Sequence, residues 1–364
     1  MKINRRLLLS FDWLWFLGLL GLTGIGLVAI WSTTDAANLN SYFTRQLSYV
    51  GLAITLFLII LYFDYHIFSD FITFVYLAGL GILVLVLVMG HTVHANKSWL
   101  SIGGAFVFQP SELVKILVVI ALAKYYSESE RDHLELGELI IGALIVFIPM
   151  GLVQLQGDTG TAATFIPIYV ALSFLAGIKR KHLLLAVLVS AITVPAGWLM
   201  LKDYQKGRIQ TVLNPGNDPH RLGYQTIQSE IAIGSGRFLG KGFRQGSQGH
   251  LGFLPARRTD FIFAVLAEER GFVGGISALA LFLFICLRML RAAREAKDKL
   301  GAMIIMGVLS VFLFHIIINA GMDMGLLPIA GIPLPLVSAG GSSLISFFMA
   351  MSLCMNIKMR RYVN

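Results

Sequence analysis

The chain alternates along its length between long apolar stretches and short polar breaks. Ten stretches approach the roughly 20 residues with which a helix crosses the hydrocarbon core of a bilayer. They lie near residues 13–31, 46–63, 71–90, 109–124, 139–155, 160–177, 182–201, 263–287, 301–320 and 335–357. This pattern predicts an all-α polytopic membrane protein with about ten transmembrane helices. We treat residues 1–364 as a single integral membrane domain.

Composition supports a membrane protein. Hydrophobic residues make up 56% of the chain and charged residues only 13%, whereas soluble domains contain roughly 25% charged residues. Basic residues also predict the orientation, because they accumulate in short cytoplasmic segments. With ten spans, one side of the membrane receives Lys2, Arg5, Arg6, Lys179, Arg180, Lys181, Arg288, Arg291, Arg294, Lys297, Lys299, Lys358, Arg360 and Arg361. Both termini are therefore predicted in the cytoplasm.

One connection is far longer than the others. Residues 202–262 separate spans seven and eight and are predicted to form a large extracytoplasmic loop of about 60 residues, whereas most connections have only a few. The loop carries nine Lys and Arg residues against four Asp and Glu residues. This positive charge suits either anionic lipid head groups or a substrate that carries phosphate.

Within this loop, the segment GSGRFLGKG superficially resembles a nucleotide-binding loop. A P-loop needs four residues between its first glycine and the Gly-Lys pair, followed by Ser or Thr. Gly234 and Gly236 both have the wrong spacing from Gly240, and Gly242 stands where the hydroxyl is required. We therefore predict no nucleotide cofactor and assign these glycines to turns of the loop.

Ionisable residues inside predicted spans are candidates for a functional site, because they are costly in lipid. Glu112 and Lys115 in QPSELVK are three residues apart, on one helical face where they can pair. They either neutralise each other at a helix start or line a hydrated cavity. Asp158 in LQGDTGT either caps the sixth span, with Thr159 as the competing cap, or holds a cation or a sugar hydroxyl.

The segment LPARRTDFIFAVLAEERG places six charges ahead of the eighth span. Residues 271–287 form an uncharged run of 17 residues, which is long enough to cross a bilayer. Residues 260–270 are therefore predicted to form a helix in the outer interface or in a cavity. Glu268 and Glu269 lie near the end of this helix, with Arg270 as an available partner.

Asp260 allows two interpretations. It can be the N-cap of the predicted helix, a role that Thr259 could also take. A carboxylate beside two arginines and facing a basic loop equally suits a general base that acts on an anionic substrate.

Five motifs, in order along the chain, resemble the SEDS family of bacterial cell-wall polymerases. They are FQPSELVK, QGDTGT, GYQTIQSEIAIGSGRFLGKG, LPARRTDFIFAVLAEERG and GIPLPLVSAGGSSL. The resemblance covers nearly the whole chain and is closer to the elongation members than to the division members. Val107 and Ala339 depart from it, because the family often has a basic residue at the first position and a tyrosine at the second.

The resemblance implies a peptidoglycan glycosyltransferase that polymerises lipid II at the outer face of the bacterial cytoplasmic membrane during cell elongation. Undecaprenyl pyrophosphate would be the leaving group, so the substrate arrives activated. The family's essential aspartate falls on Asp260. Its implied role is that of a general base, which activates the 4-hydroxyl of the acceptor sugar for inverting attack on the anomeric carbon of the donor.

The resemblance also implies substrate-binding residues and partners. The substrate-binding residues are Arg45, Trp99, Glu112, Lys115, Asp158, Arg208 and Lys241. Mg²⁺ or Mn²⁺ could assist the departure of pyrophosphate, and the sequence leaves the ligands of such a metal unknown. Expected partners are lipid II, the nascent glycan, a class B penicillin-binding protein that crosslinks the strands, and membrane proteins of the elongasome. Nucleic acid is not expected.

Two other functions are compatible with parts of the sequence. A lipid II flippase would use Glu112, Lys115 and Asp158 as a polar path across the membrane, although the basic loop with Asp260 favours chemistry on the outer face. A scaffold that only recruits enzymes would use the basic residues between 288 and 299 to dock cytoplasmic partners.

Overall fold

The computed structural model describes residues 10–34, 39–93, 96–102, 106–129, 131, 133–200, 203–213, 222–250 and 252–362. Lys2, Arg5 and Arg6, which contribute to the predicted orientation, lie outside these residues. In chain order the helices are α1 (Trp13–Ser32), α2 (Leu39–Tyr62), α3 (Tyr65–Asp70), α4 (Ile72–Met89), α5 (Pro110–Ser127), α6 (Leu136–Leu155), α7 (Thr159–Ala163), α8 (Ile166–Leu175), α9 (Arg180–Met200), α10 (Asp203–Leu213), α11 (Leu222–Ser235), α12 (Ser247–His250), α13 (Ile262–Arg294), α14 (Lys299–Asp323) and α15 (Gly341–Met359), followed by a 3₁₀ turn at Arg360–Tyr362.

The predicted helical, multi-pass membrane architecture is confirmed. In the described part of the chain, seven helices are long and apolar enough to cross a membrane: α1, α2, α4, α6, α13, α14 and α15. The three predicted spans that this criterion does not include fall on α5, on α7 with α8, and on α9. The count of ten spans, and the position of the long loop relative to the membrane, therefore stay predictions.

A small sheet that the apolar pattern did not predict joins α4 to α5. Its strands are β1 (His91–Val93), β2 (Asn96–Ile102) and β3 (Phe106–Phe108), and they pair antiparallel in the order β1-β2-β3. The β-branched and aromatic residues of these segments suit strands. The sheet leads the chain directly into Pro110, the first residue of α5.

Helix α15 lies at the centre of the bundle. Of the residues in its membrane-spanning segment, 89% are buried inside the protein, compared with 22% for the peripheral α4. It packs against α2, α5, α13 and α14. Its buried polar side chains reach the backbone of α2, where Ser352 Oγ donates to Phe57 O at 2.6 Å and Asn356 Nδ2 donates to Ile60 O at 2.9 Å.

Helices α1, α13 and α15 are joined at one end by a buried cluster of charges. Asp12 caps α1 by accepting a hydrogen bond from Trp15 N at 3.1 Å. Its carboxylate also binds Arg288 of α13 and Lys358 of α15. Burial alone would raise the pKa of Asp12, but the hydrogen bonds from the two cations outweigh it and hold the pKa below its usual value. The carboxylate therefore remains ionised between its two partners.

Helix α13 changes direction at Gly271, whose φ of 64° and ψ of −162° are not helical. Residues 236–242 of the GSGRFLGKG segment lie against this bend, and Gly242 N donates to Glu269 O at 3.0 Å. A Cβ on Gly240 would lie 2.1 Å from Glu269 O. The glycine at this position therefore allows close packing of two backbones.

We predict that Gly240→Ala destabilises the protein, whereas Gly234→Ala does not. Gly240 has a φ of +83° and no space for a Cβ, but a Cβ on Gly234 would meet nothing within 4 Å. Strained backbone costs about 1–3 kcal/mol at a single residue, while alanine in place of an exposed helical glycine gains up to about 1 kcal/mol. Thermal unfolding of both variants in detergent measures the difference. Equal melting temperatures would contradict the close-packing explanation.

Candidate functional site

Asp260 lies in a tight turn directly before α13. Its backbone N–H donates to Ala256 O at 3.0 Å, and its side chain is half-buried. The neighbouring Arg258 is anchored, because its Nη2 donates to Thr33 O at 2.7 Å and its guanidinium carbon lies 4.7 Å from the ring centre of Tyr42. The turn is thus fixed against the ends of α1 and α2.

The segment between α14 and α15 holds this turn from another side. Ser338 Oγ donates to Thr259 O at 2.5 Å. Gly331 has a φ of +66°, and a Cβ placed on it would lie 3.8 Å from Asp260 Oδ2. The GIPLPLVSAGGSSL motif therefore borders the carboxylate of Asp260.

Asp158 is tied to the same region through Gln109. Gln109 Nε2 donates to Asp158 Oδ2 at 2.7 Å, and Gln109 N donates to Ser342 Oγ at 3.0 Å. Asp158 Oδ1 also accepts from Thr161 N at 3.0 Å, so Asp158 is the N-cap of α7. The sequence left two interpretations of Asp158 open, and the structure shows the contact expected for the capping interpretation. The same carboxylate also binds a residue of the FQPSELVK motif.

Glu112 and Lys115 form a buried ion pair one turn into α5. Lys115 Nζ lies 2.9 Å from Glu112 Oε1, and the two side chains are 4% and 3% exposed. Ser346 Oγ donates to Glu112 Oε2 at 3.2 Å, and Lys115 Nζ lies 3.2 Å from His315 Nε2. The pair borders a cavity of about 20 Å³, which is room for about one water molecule.

Arg45 lies on the exposed side of α2, where its Nε donates to Tyr49 OH at 2.8 Å. The adjacent Gln46 accepts a hydrogen bond from Gly340 N at 3.3 Å through its Oε1. Arg45 is therefore next to the segment that borders Asp260.

Lys241 has a different environment from the one expected of a substrate ligand. Its Nζ lies 2.6 Å from Oε1 of Glu268, a side chain with no exposed surface. Glu268 also accepts from Gln248 N at 3.0 Å and from Gly249 N at 2.9 Å. The cation that pairs with Glu268 is therefore Lys241 of the loop, in place of the Arg270 considered from the sequence.

Two other predicted ligands lie on separate elements. Trp99 is half-buried in β2, and its backbone pairs with that of His91 in β1. Arg208 is half-buried in α10, which packs against α11. The contacts described above bring together Asp260, Asp158 and the Glu112–Lys115 pair, with Arg45 beside them.

A polar face on α14 was not among the sequence predictions. His315, Asn319 and Asp323 follow each other at intervals of four residues and have 0–1% exposure. Their signal in the sequence is three polar residues on one face of an apolar helix, within FHIIINAGMD. Asn319 Nδ2 donates to Asp260 O at 2.7 Å, which places this face against the site.

The predicted capping role of Asp260 or Thr259 is wrong. The N-cap of α13 is Phe261, which makes no side-chain capping bond. Asp323 of α14 performs this function from outside the helix, because its Oδ2 accepts from Ala264 N at 2.9 Å. A cap that comes from a neighbouring helix cannot be predicted from the residues next to the capped helix. The local sequence therefore indicated Asp260 or Thr259 instead of Asp323.

The fold and the site together define a multi-pass membrane protein in which several helix ends and one segment of the long loop meet around a single aspartate. The chain belongs to the FtsW, RodA and SpoVE family of cell cycle proteins, whose family model matches residues 5–363. The resemblance drawn from the five motifs is thereby confirmed.

Relatives and solved structures agree with this membership. The chain is 32% identical over 427 residues to the peptidoglycan glycosyltransferase RodA of Treponema pallidum. This alignment covers 97% of this chain and 98% of that protein. It is 35% identical over 349 residues to the peptidoglycan glycosyltransferase MrdB of Escherichia coli strain K12, with 94% and 92% covered. A solved peptidoglycan synthase complex, described as coordinating polymerization and crosslinking, contains a chain that matches with a TM-score of 0.84 and 28% identity, over 97% of this chain and 99% of that one.

We predict that Lys115→Met destabilises the protein strongly and that adding Glu112→Gln restores part of the loss. Removing one partner of a buried ion pair costs about 3–5 kcal/mol, because the other charge stays buried, whereas replacing both partners is much less harmful. Thermal unfolding in detergent measures both variants.

Arg131→Met is the matched control for this prediction. Arg131 lies 2.9 Å from Glu135, but both side chains are more than half exposed, and exposed pairs contribute only about 0–1 kcal/mol. If Lys115→Met were as mild as Arg131→Met, the Glu112–Lys115 pair would not be buried as described.

Proposed function

We propose that the chain is a peptidoglycan glycosyltransferase that polymerises lipid II, with Asp260 as the general base. The observation that carries this proposal is the convergence of separate motifs on the turn around Asp260. The GIPLPLVSAGGSSL segment borders the carboxylate, Arg258 lies beside it, and Asn319 binds its backbone. The glycosyltransferase activity named for the relatives fits a site in which several motifs surround one carboxylate.

In the proposed reaction, the carboxylate of Asp260 accepts the proton of the acceptor sugar's 4-hydroxyl. The oxygen then forms a bond to the anomeric carbon of the donor, while the bond from that carbon to the pyrophosphate breaks and the configuration inverts. The leaving pyrophosphate carries the released negative charge away. Arg45 lies next to the segment that borders Asp260, so it is the first candidate to bind that charge.

We propose that a metal ion, where one takes part, binds mainly through the pyrophosphate oxygens of the substrate. Among the described residues, no group of three or more His, Cys, Asp or Glu side chains could hold an ion. Mg²⁺ commonly binds through one or two carboxylates together with phosphate oxygens, and Asp260 could provide one such ligand. Involvement of Mg²⁺ or Mn²⁺ stays a proposal, and no step above depends on it.

We further propose that the protein resides in the bacterial cytoplasmic membrane with both termini in the cytoplasm, and that residues 202–262 face the outside. The partner would be a class B penicillin-binding protein, because a similar chain occurs in a complex that coordinates polymerization and crosslinking. Lipid II, the growing glycan and other membrane proteins of the elongasome complete the proposed set of partners.

A lipid II flippase is the second candidate, and the buried Glu112–Lys115 pair is the observation in its favour. The two groups bind each other and also contact Ser346 and His315. The cavity beside it, of about 20 Å³, is far too small for a disaccharide head group. Passage of lipid II along this route would require the helices to separate, so we favour the polymerase.

The central test compares the purified wild type with Asp260→Asn in detergent, using fluorescent lipid II. We expect polymer from the wild type and a rate lower by roughly 10²–10⁴-fold in the variant, the usual effect of losing a general base. Glu230→Gln is the control, because Glu230 is an exposed carboxylate of the same loop and its loss should leave the rate unchanged.

Two outcomes would contradict parts of this proposal. Near wild-type polymer from Asp260→Asn would reject Asp260 as the base. No polymer from the wild type, even with a class B partner and divalent metal, would reject the polymerase, and transport of lipid II across vesicles would then test the flippase.

A second test concerns the division of work with the partner. When the class B partner is inactivated with penicillin, we expect glycan strands of undiminished yield but without crosslinks, because sugar transfer belongs to this chain. Gel analysis of the product distinguishes crosslinked from linear glycan. Loss of all glycan on adding penicillin would contradict this division, because sugar transfer would then depend on the transpeptidase site of the partner.

A further inference from the structure

The buried polar face of α14 contacts the two ends of the first turn of α13. Asn319 Nδ2 donates to Asp260 O at 2.7 Å, just before the helix. Asp323 Oδ2 accepts from Ala264 N at 2.9 Å, inside the first turn. These two residues of α14 are one helical turn apart, so together they bind the stretch of backbone that carries the side chain of Asp260.

The same face also reaches the other groups of the site. Asn319 Nδ2 donates to Ile332 O at 2.9 Å, next to the Gly331 that borders Asp260. His315 Nδ1 lies 3.1 Å from Pro333 O, and its Nε2 lies 3.2 Å from Lys115 Nζ. Because a carbonyl only accepts, we assign the ring proton to Nδ1, which leaves Nε2 to accept from the lysine.

The first turn of α13 needs hydrogen-bond acceptors from outside the helix. Its N-cap, Phe261, has no capping side chain. The first N–H groups of a helix lack partners within the helix, and here residues 261–269 are buried away from solvent. The position of Asp260 thus depends on α14 as well as on the contacts that Arg258 and Ser338 make with the same turn.

We infer that Asn319 and Asp323 are positioning residues for Asp260, and that His315 connects them to the Glu112–Lys115 pair. This inference rests on the proposed function, because it assigns them to the reaction in which Asp260 is the base. They do not touch the substrate in this role. They set where the carboxylate lies relative to the reacting hydroxyl, and an error of about 1 Å in such a position can lower a rate by about 10²-fold.

The test for Asn319 uses a matched control in the same protein. Asn356 is an equally buried asparagine that also donates to backbone carbonyls, but it joins α15 to the other end of α2 at Ile60 and Phe63. Asn319→Leu and Asn356→Leu therefore remove the same kind of bond in two places. Polymerisation rates at saturating and limiting lipid II are measured together with melting temperatures.

We expect the two leucine variants to lose similar thermal stability but to differ in activity. Asn319→Leu should lower the saturated rate by about 10-fold or more with little change in the lipid II concentration that gives half the rate, because orientation and not binding is affected. Asn356→Leu should stay close to the wild type. If both lose activity in proportion to stability, Asn319 is merely structural and the inference is wrong. Asn319→Ser, which keeps one donor, decides the question if Asn319→Leu does not fold.

Asp323 is tested by a pair of variants. Asp323→Asn keeps an oxygen that can accept from Ala264 N, whereas Asp323→Leu does not. Each is compared at its own pH optimum, since Asp323 and Asp260 interact electrostatically. We expect Asp323→Asn to retain most of the rate and Asp323→Leu to lose it. Equal rates in the two variants would overturn the role of this hydrogen bond.

The outcomes separate this inference from the proposed function. If the wild type makes no polymer, or Asp260→Asn makes as much as the wild type, the proposed function fails. If the wild type is active and Asp260→Asn is not, but Asn319→Leu behaves like Asn356→Leu, then only the positioning role fails.

Discussion

The packing of the bundle depends on one constraint, which is that buried charges must find partners inside the protein because hydrocarbon offers none. The charges of Asp12, Glu112 and Glu268 are each neutralised by a cation, and each also accepts further hydrogen bonds. For Asp12 and Glu268 the cation comes from a distant part of the chain. Apolar helix surfaces alone give little preference for one packing arrangement in a membrane. These ion pairs therefore help to select the arrangement in which the helices pack.

The same constraint explains the geometry around Asp260. Helix α13 begins inside the protein, so its first amide groups cannot use water, and its own N-cap residue, Phe261, provides no acceptor. Asp323 supplies the acceptor from α14, and Asn319 satisfies the carbonyl of Asp260. Satisfying the backbone in this way also fixes the direction in which the Asp260 side chain leaves the turn. Stability and the placement of the candidate base thus come from the same bonds.

The sequence was sufficient for features that depend on local pattern. The apolar runs predicted the helices, and three-residue spacing predicted the contact between Glu112 and Lys115. It was insufficient where a partner is distant along the chain. Nothing local indicates that Lys241 pairs with Glu268, or that Asp323 caps a helix that begins about 60 residues earlier. The short strands around Trp99 were also missed, because a search for spans of roughly 20 residues passes over them.

The cap supplied by Asp323 bears on how Asp260 itself is interpreted. An aspartate just before a helix is usually explained by capping. From the sequence alone, capping explained Asp260 as well as a catalytic role did. In the structure the N-cap of α13 is Phe261 and its first turn bonds to Asp323, so Asp260 does not occupy the capping position. What the structure leaves is a half-buried carboxylate, set in a turn that is held by α14 and by the segment before α15, and bordered by residues of separate motifs. A carboxylate in a turn that neighbouring segments hold in place from several sides suits the proposed role of Asp260 as a general base.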